Sequence, residues 1–289
     1  MRALGLGDNV FDVYENLGVA YPGGNAVNVA VNAARLGCDA GYLGAIATDA
    51  SGDLMMRVLA GEGVDVHGCT RPEGTTTKRC VEDVFDGERS FKRNELGENW
   101  AGPLDLLPEH IGVVSSYDVV FSSCYAKMAD QMDKLRDVDG IVVFDFGEKE
   151  KYRTAEYLAQ VLPVIDLAQF SMSGMNVQDV LDEVARMGVI CPVLATRGAQ
   201  APLVVMDGEV IEGVPSEGVA RDTMGAGDAF VTAFATSLIA EGWCKGSALR
   251  ASDVESALQR AGEHAHRMCQ VDGGFGHACD LVGEELVER

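Results

Sequence analysis

Residues 222–230 of this 289-residue chain read DTMGAGDAF, and an apolar run continues from there to residue 235. Three small residues, Gly225, Ala226 and Gly227, leave the backbone N–H groups open to a ligand. If a helix begins there, its unpaired N–H groups and its dipole favour an anion, most often a phosphate. The pattern therefore predicts an anion site at the start of a helix over residues 222–239, the longest of the chain.

Asp228 follows this small-residue segment directly. A carboxylate would repel a bound phosphate, so a simple anion site does not explain it. It fits if the carboxylate takes a proton from a hydroxyl group that attacks the phosphate. The other interpretation is a glycine-rich helix start with an acidic residue in its first turn. The motif alone leaves both open.

Composition and charge narrow the class of protein. A hydrophobic fraction of 47% and a charged fraction of 24% are ordinary for a globular chain with a large core. A net charge of −22 disfavours nucleic acid and anionic lipid as partners. No apolar run approaches the ~18 residues of a membrane span, and the first eight residues do not resemble a signal peptide. We therefore expect a cytoplasmic protein that binds neither nucleic acid nor membranes.

Apolar runs of strand length alternate with segments of helical periodicity. Strands are predicted at residues 4–7, 40–46, 119–122, 141–145, 167–172 and 193–196. Helices are predicted at 25–36, 51–61, 152–162, 177–187 and 252–269. This alternation is typical of an α/β fold with a parallel sheet covered by helices on both faces.

Residues 75–95 interrupt this alternation. Residues 75–85 and 88–93 are β-prone, and Asp86-Gly87 between them is a hairpin turn signal. The ten residues between Asp12 and Gly23 have room for one short hairpin at most. We expect these two segments, about 13–22 and 75–95, to form a small β lid inserted in a single domain of residues 1–289.

A second small-residue element reads GGNAVN at residues 23–28. Its glycines would let a ligand touch the backbone, and the amides of Asn25 and Asn28 suit sugar hydroxyls. A turn capped by asparagine is the alternative. Upstream, Asp8 and Asp12 follow the first strand, where ligands of parallel sheets bind. Asp12 is thus placed to accept hydrogen bonds from a polyol.

Three elements, GGNAVN at 23–28, GAIATDASG at 44–52 and DTMGAGD at 222–228, occur in this order. In order and spacing the chain resembles the ribokinase (PfkB) family of carbohydrate kinases along nearly its whole length. Residues 7–14, 23–31, 144–146 and 222–225 are most similar to members that phosphorylate fructoselysine on its 6-hydroxyl. The resemblance implies a ribokinase-like three-layer α/β/α sandwich, with a mostly parallel central sheet and a small β lid.

The resemblance also implies roles for individual residues. Asp228 would be the catalytic base, beside an anion hole formed by Gly225, Ala226 and Gly227. The sugar would be held by Asp8, Asp12, Gly23, Gly24 and Asn28. ATP would contact Thr196, Gly198, Gly273 and Gly274. Mg²⁺ would bridge the phosphates, and a monovalent cation, usually K⁺, would bind Asp222 and Thr223.

One family feature is missing from this sequence. Many members carry Asn-x-x-Glu after the strand near residue 170, where this chain reads SMSGMN at 171–176. The glutamate that acts on magnesium-bound water is therefore absent, and Asp145 is a candidate replacement.

The expected activity is ATP-dependent phosphorylation of a primary hydroxyl of a ketose or ketosamine, with fructoselysine-type substrates as the specific expectation. Glu15, Asp8 or an acid of the lid would contact the lysine part. The alternatives are another PfkB kinase (fructokinase, ribokinase or nucleoside kinase) and a sugar or nucleotide sensor without catalysis. Exposed strand edges of the lid would favour a homodimer.

Overall fold

The computed structural model describes residues 1–85, 88–97, 99–216, 218–282 and 285–289, with Glu88 and Arg89 described by their backbone only. The turn predicted at Asp86-Gly87 lies outside the described residues. Among the residues that are described, no helix combines the length and the apolar character needed to cross a membrane.

The strands are β1 (Arg2–Leu6), β2 (Val10–Tyr14), β3 (Val19–Gly23), β4 (Asp39–Leu43), β5 (Arg79–Phe85), β6 (Glu88–Glu95), β7 (Val119–Ser123), β8 (Ile141–Asp145), β9 (Leu167–Ser171), β10 (Val193–Arg197), β11 (Gln200–Met206), β12 (Glu209–Glu212), β13 (Cys279–Val282) and β14 (Glu285–Glu288). The α-helices are α1 (Asn25–Arg35), α2 (Ala50–Gly61), α3 (Pro108–Val114), α4 (Ala155–Val161), α5 (Val177–Met187), α6 (Ala226–Ala240) and α7 (Ala251–Met268).

The main sheet has the strand order β12-β11-β10-β9-β8-β7-β1-β4. Its strands run parallel from β10 to β4, and β11 and β12 add an antiparallel edge. Val119 and Phe121 pack with α1, α2, α6 and α7 on one face, whereas Val120 packs with α3, α4 and α5 on the other. Because side chains alternate across a strand, the apolar runs fill both faces. The three-layer α/β/α arrangement predicted from the sequence is confirmed.

The structure corrects the boundaries of two predicted helices. The helix predicted over 222–239 begins only at Ala226, because Asp222 bonds to loop backbone instead, and α7 is longer than α6. In the segment 152–162 a short 3₁₀-helix ends at Tyr152, and α4 starts after Thr154, whose hydroxyl caps it. Strands β11 to β14 and helix α3 were not predicted.

The second sheet has the strand order β14-β13-β3-β2-β5-β6 and is antiparallel except between β2 and β5. It contains strands from both segments predicted as a lid, and the hairpin β13–β14 extends it. On β2, Phe11 and Val13 join the main hydrophobic core. Asp12 and Tyr14 alternate with them, so they point to the opposite face of the sheet.

Helix α1 approaches β1 closely at Gly5. A Cβ atom added to Gly5 would lie 2.0 Å from the backbone oxygen of Ala26. Any side chain at this position would therefore push the first turn of α1 away from the sheet.

The variant Gly5→Ala is expected to lower the free energy of unfolding by about 1–3 kcal/mol, because the added methyl overpacks the contact with α1. Gly262→Ala is the matched control. Gly262 lies within α7 with open space around its Cβ position, so alanine there should stabilise the protein by about 0.5–1 kcal/mol. Urea unfolding of both variants measures the difference, and equal stabilities would contradict the packing argument.

Candidate active site

The N-terminus of α6 lies at the edge where the parallel strands of the main sheet end. Gly225, the residue before the helix, has φ = 69°, in the left-handed region that favours glycine. Among the described residues, no side-chain hydrogen bond from the N-cap position closes this helix end. The Ala226 N–H donates to the Thr223 carbonyl at 3.2 Å, whereas no described hydrogen bond uses the N–H groups of Gly225 and Gly227. The role of Gly225, Ala226 and Gly227 as an anion hole stays a prediction.

Asp228 lies in the first turn of α6 and is held by two amides from α1. Its Oδ1 accepts a hydrogen bond from Asn25 Nδ2 and its Oδ2 accepts one from Asn28 Nδ2, both at 2.6 Å. The two asparagines are three residues apart, so they lie on the same face of α1. The carboxylate is therefore fixed in place between the N-termini of two helices, while the residue keeps partial access to solvent.

Neighbouring carboxylates change the acidity of this site. Burial raises the pKa of Asp228 well above its usual range; the bond from Asn28 opposes this, and the charges of Asp145, Asp8 and Asp12 raise the pKa further. Burial also raises the pKa of Asp145 to about 6, against hydrogen bonds from Gly147 and Asn25 and with help from the charge of Asp8. Asp228 is thus a stronger base than an ordinary carboxylate, as proton transfer near neutral pH requires.

The residues predicted to hold the sugar are brought together at the start of α1. A Cβ atom on Gly23 would lie 2.4 Å from Asp12 Oδ2, and Gly24 has φ = 107° and touches the backbone of Asn9. Asp8 Oδ1 and Asn28 Oδ1 are buried and accept no hydrogen bond from any described residue. These two oxygens are available to hydroxyl or ammonium donors of a substrate.

Asp222 joins three segments around the site. Its Oδ2 accepts hydrogen bonds from Tyr14 Oη at 2.5 Å and from the Gly273 N–H at 2.8 Å, and its Oδ1 accepts one from the Met224 N–H at 2.9 Å. Tyr14 belongs to the second sheet, and its role was not predicted. Thr223, the other residue predicted to bind a monovalent cation, is exposed. Their role in binding a cation stays a prediction.

The predicted nucleotide residues fall into two groups. Gly273 and Gly274 lie in the site: a Cβ atom on Gly274 would be 2.5 Å from Asn28 Oδ1, and one on Gly225 would be 3.1 Å from Gly274 Cα. Thr196 ends β10 next to β9, and Gly198 forms the following turn with φ = 66°. No described hydrogen bond joins either of these to Asp228.

Gln169 is a polar site residue that sequence reasoning missed. It is 1% exposed, its Nε2 lies 3.4 Å from the backbone oxygen of Gly227, and its Oε1 accepts no bond from a described residue. It pairs with Asp145 across β8 and β9. The sequence signal that could have identified Gln169 is a single glutamine within an apolar run predicted as a strand.

A buried polar chain supports Asn28 from behind. Asn32 Nδ2 donates to the backbone oxygen of Asn28 at 2.8 Å, and Asn32 Oδ1 lies 2.7 Å from His264 Nε2. Burial lowers the pKa of His264 to about 4, as do the charges of Arg267 and Arg35. His264 is therefore neutral at neutral pH, and its Nε2–H donates to Asn32.

Comparison with known proteins agrees with this geometry. The model of the pfkB family of carbohydrate kinases matches residues 12–274. Fructosamine kinase FrlD from Bacillus subtilis (strain 168) is 30% identical over 284 residues, which is 96% of this chain and 94% of that protein. Fructoselysine 6-kinase from Escherichia coli (strain K12) is 29% identical over 253 residues, covering 84% and 90%.

Among solved structures, the fructokinase with bound ATP from Xylella fastidiosa superposes with a TM-score of 0.76 at 20% identity, covering 95% of this chain and 94% of that one. The chain belongs to the pfkB family of carbohydrate kinases. It is an ATP-dependent sugar kinase.

The variant Asp145→Asn is expected to move the acid limb of the pH profile of kcat to lower pH. Removing a negative charge near Asp228 lowers the pKa of Asp228, because the charge of Asp145 raises it. Turnover measured from pH 5 to 9 tests this, with the exposed Asp182→Asn as the control. An unchanged midpoint, or one at higher pH, would contradict the coupling, whatever happens to the maximal rate.

Proposed function

We propose that this kinase phosphorylates a primary hydroxyl of a fructosamine, with the 6-hydroxyl of a fructoselysine-type substrate as the acceptor. The observation that carries the chemistry is the Asp228 carboxylate, held by Asn25 and Asn28 at an uncapped helix N-terminus. A proton acceptor and an anion site thereby lie within one helical turn, as transfer of a phosphoryl group to a hydroxyl requires.

In the proposed mechanism, the substrate hydroxyl donates a hydrogen bond to Asp228. As the bond from the hydroxyl oxygen to the γ-phosphorus forms and the bond to ADP breaks, the hydroxyl proton moves to Asp228. The N–H groups of Gly225 and Gly227 donate to the phosphoryl oxygens, where charge is redistributed, while Ala226 donates to the Thr223 carbonyl and holds the loop. Asn25 and Asn28 prevent Asp228 from turning away, so no reorganisation is needed during the step.

Oxygen atoms in the site fit a magnesium ion. The buried Gln169 Oε1, which accepts no bond from a described residue, and the Asp145 carboxylate lie at paired positions of β8 and β9. Mg²⁺ prefers such oxygen ligands and keeps several waters. Gln169 and Asp145 would hold it through water beside the ATP phosphates, in place of the missing glutamate. When bound, it would neutralise phosphate charge.

Asp222 has little capacity left to bind a potassium ion. This carboxylate already accepts three hydrogen bonds, out of about four acceptor positions. One position therefore remains for a monovalent cation near Thr223. A double mutant of fructokinase from Vibrio cholerae O395 has been crystallised in a fructose, ADP and potassium ion bound form, which supports testing potassium here.

Two observations favour a ketosamine over a simple ketose. Two of the most similar relatives are a fructosamine kinase and a fructoselysine 6-kinase. The predicted sugar region also contains the carboxylates of Asp8 and Asp12, which favour a substrate with a cationic amine. Fructose is the second candidate, because a fructokinase from Escherichia coli is 31% identical over 263 residues.

The second sheet would act as the lid of the single kinase domain. Its Tyr14 bonds to Asp222, and its Asp12 lies beside Gly23, so strand β2 connects this sheet to both the phosphate and the sugar regions. Its outer strands β6 and β14 are edge strands in the described structure. Pairing of such an edge between two copies would give the homodimer expected from the sequence.

The variant Asp228→Asn is expected to fold normally and to lose turnover by about 10²–10⁴-fold, the usual contribution of a general base. Because Asn28 Oδ1 has no described partner, a flip of that amide accommodates the new NH₂ group. Release of ADP and circular dichroism measure the two properties, with Asp182→Asn as the control. Turnover at the wild-type rate would refute the assigned base.

A substrate panel tests the specificity. ADP release is measured with fructoselysine, fructose, ribose and adenosine, each with and without potassium. We expect the highest kcat/KM for fructoselysine, since only this substrate places a cationic amine beside the acidic residues. Equal or greater kcat/KM for fructose would replace the fructosamine assignment with a ketose kinase.

A further inference from the structure

The lysines of this chain divide into two groups of different environment. Three of the seven pair with carboxylates, namely Lys92, Lys134 and Lys245. Within the part of the chain that the structure describes, no carboxylate pairs with the other four, which are Lys78, Lys127, Lys149 and Lys151. In a chain with 45 acidic and 23 basic residues, four lysines without an acidic partner leave local positive charge for an anionic ligand.

These four lysines are close to one another and border the active site. Lys127 follows the end of β7, and Lys149 and Lys151 follow the end of β8, at the sheet edge that holds Asp228. Trp100, the ring that Lys127 contacts, forms a bridge with Thr76, two residues before Lys78. Lys149 contacts Phe91 of β6, and β6 pairs with β5, which begins directly after Lys78. The charges of Lys78 and Lys151 also act on Lys127, and that of Lys78 acts on Asp8. The four residues are hereafter called the lysine cluster.

Aromatic rings accompany three of the four ammonium groups. Lys127 Nζ lies 4.6 Å from the centre of the Trp100 ring, Lys151 Nζ lies 4.7 Å from that of Tyr152, and Lys149 Nζ lies 5.8 Å from that of Phe91. Such contacts orient a cation without neutralising it. The rings also offer apolar surface to an aliphatic chain.

The order of the strands separates this cluster from the predicted nucleotide turn. Thr196 and Gly198 follow β10, whereas Lys127, Lys149 and Lys151 follow β7 and β8, next to β1 and Asp8. The lysine cluster therefore borders the predicted sugar region rather than this nucleotide turn. The lysine part of fructoselysine carries a cationic amine next to the sugar, and a second ammonium and a carboxylate at its far end.

We propose that the lysine cluster and its aromatic partners bind the carboxylate of the amino-acid part of a ketosamine substrate. This inference rests on the proposed function. The acidic residues would meet the amine close to the sugar, and the lysines would meet the carboxylate at the mouth. The site thus selects a substituent that carries a carboxylate over one that carries only amines.

The test compares two substrates of the same amine charge. One is fructoselysine, and the other is fructosyl-1,5-diaminopentane, hereafter the alkylamine, which keeps both amines and the chain length of the lysine part but has no carboxylate. We expect the wild-type KM for fructoselysine to be lower on the order of tenfold, the effect of one charge-assisted contact. The variants Lys127→Gln and Lys151→Gln should raise that KM and leave KM for the alkylamine, KM for ATP and kcat unchanged. Lys134→Gln, which removes an ion-paired lysine elsewhere, is the matched control.

The outcomes separate this inference from the proposed function. Equal KM values for both ketosamines in the wild type would overturn the carboxylate subsite and leave a fructosamine kinase in place. Activity with fructose but with neither ketosamine would overturn both. A rise in KM for ATP in the lysine variants would assign the cluster to the nucleotide. Loss of the carboxylate preference at high salt in the wild type would support the subsite, because salt screens exposed charges.

Discussion

The hydrogen bonds from Asn25 and Asn28 to Asp228 are the interaction on which the rest of the site depends. They join the first turns of α1 and α6 at the edge of the sheet. Gly5 sets the depth at which α1 lies on the sheet, because the Ala26 carbonyl occupies the place of a side chain. Behind α1, Asn32 and His264 fix the Asn28 backbone. The proposed base is thus oriented by residues of two helices rather than by a loop.

Asp222 has a matching role on the other side of the site. By accepting hydrogen bonds from Tyr14, Met224 and Gly273, it connects the second sheet, the anion loop and the glycine loop after α7. The segment before Gly225 is therefore not helical, although its residues permit a helix. A buried carboxylate that satisfies loop N–H groups is stabilised more strongly than one left at a helix end.

The acidic residues of the site oppose the stability of the fold. A carboxyl group whose pKa rises on folding takes up a proton more readily in the folded state, so it destabilises that state once the pH exceeds its unfolded pKa. For Asp145, with a usual pKa of 3.8 and a folded pKa of about 6, this cost develops across that interval and persists above it. Burial also raises the pKa of Asp228. The property that suits Asp228 to accept a proton therefore also lowers the stability of the folded state.

The sequence by itself determined the layered α/β architecture, because apolar periodicity acts locally, and its glycine positions pointed to the proposed anion site. It also predicted a sugar site at Asp12, Gly23, Gly24 and Asn28, because their spacing indicates a strand followed by the start of a helix. Only the tertiary structure decided which side chains meet across long separations. Tyr14 and Asp222 are 208 positions apart, Gln169 reaches Gly227 from another strand, and the lysine cluster gathers residues from three segments. Such contacts depend on strand order and on charge in three dimensions, and no local pattern encodes either.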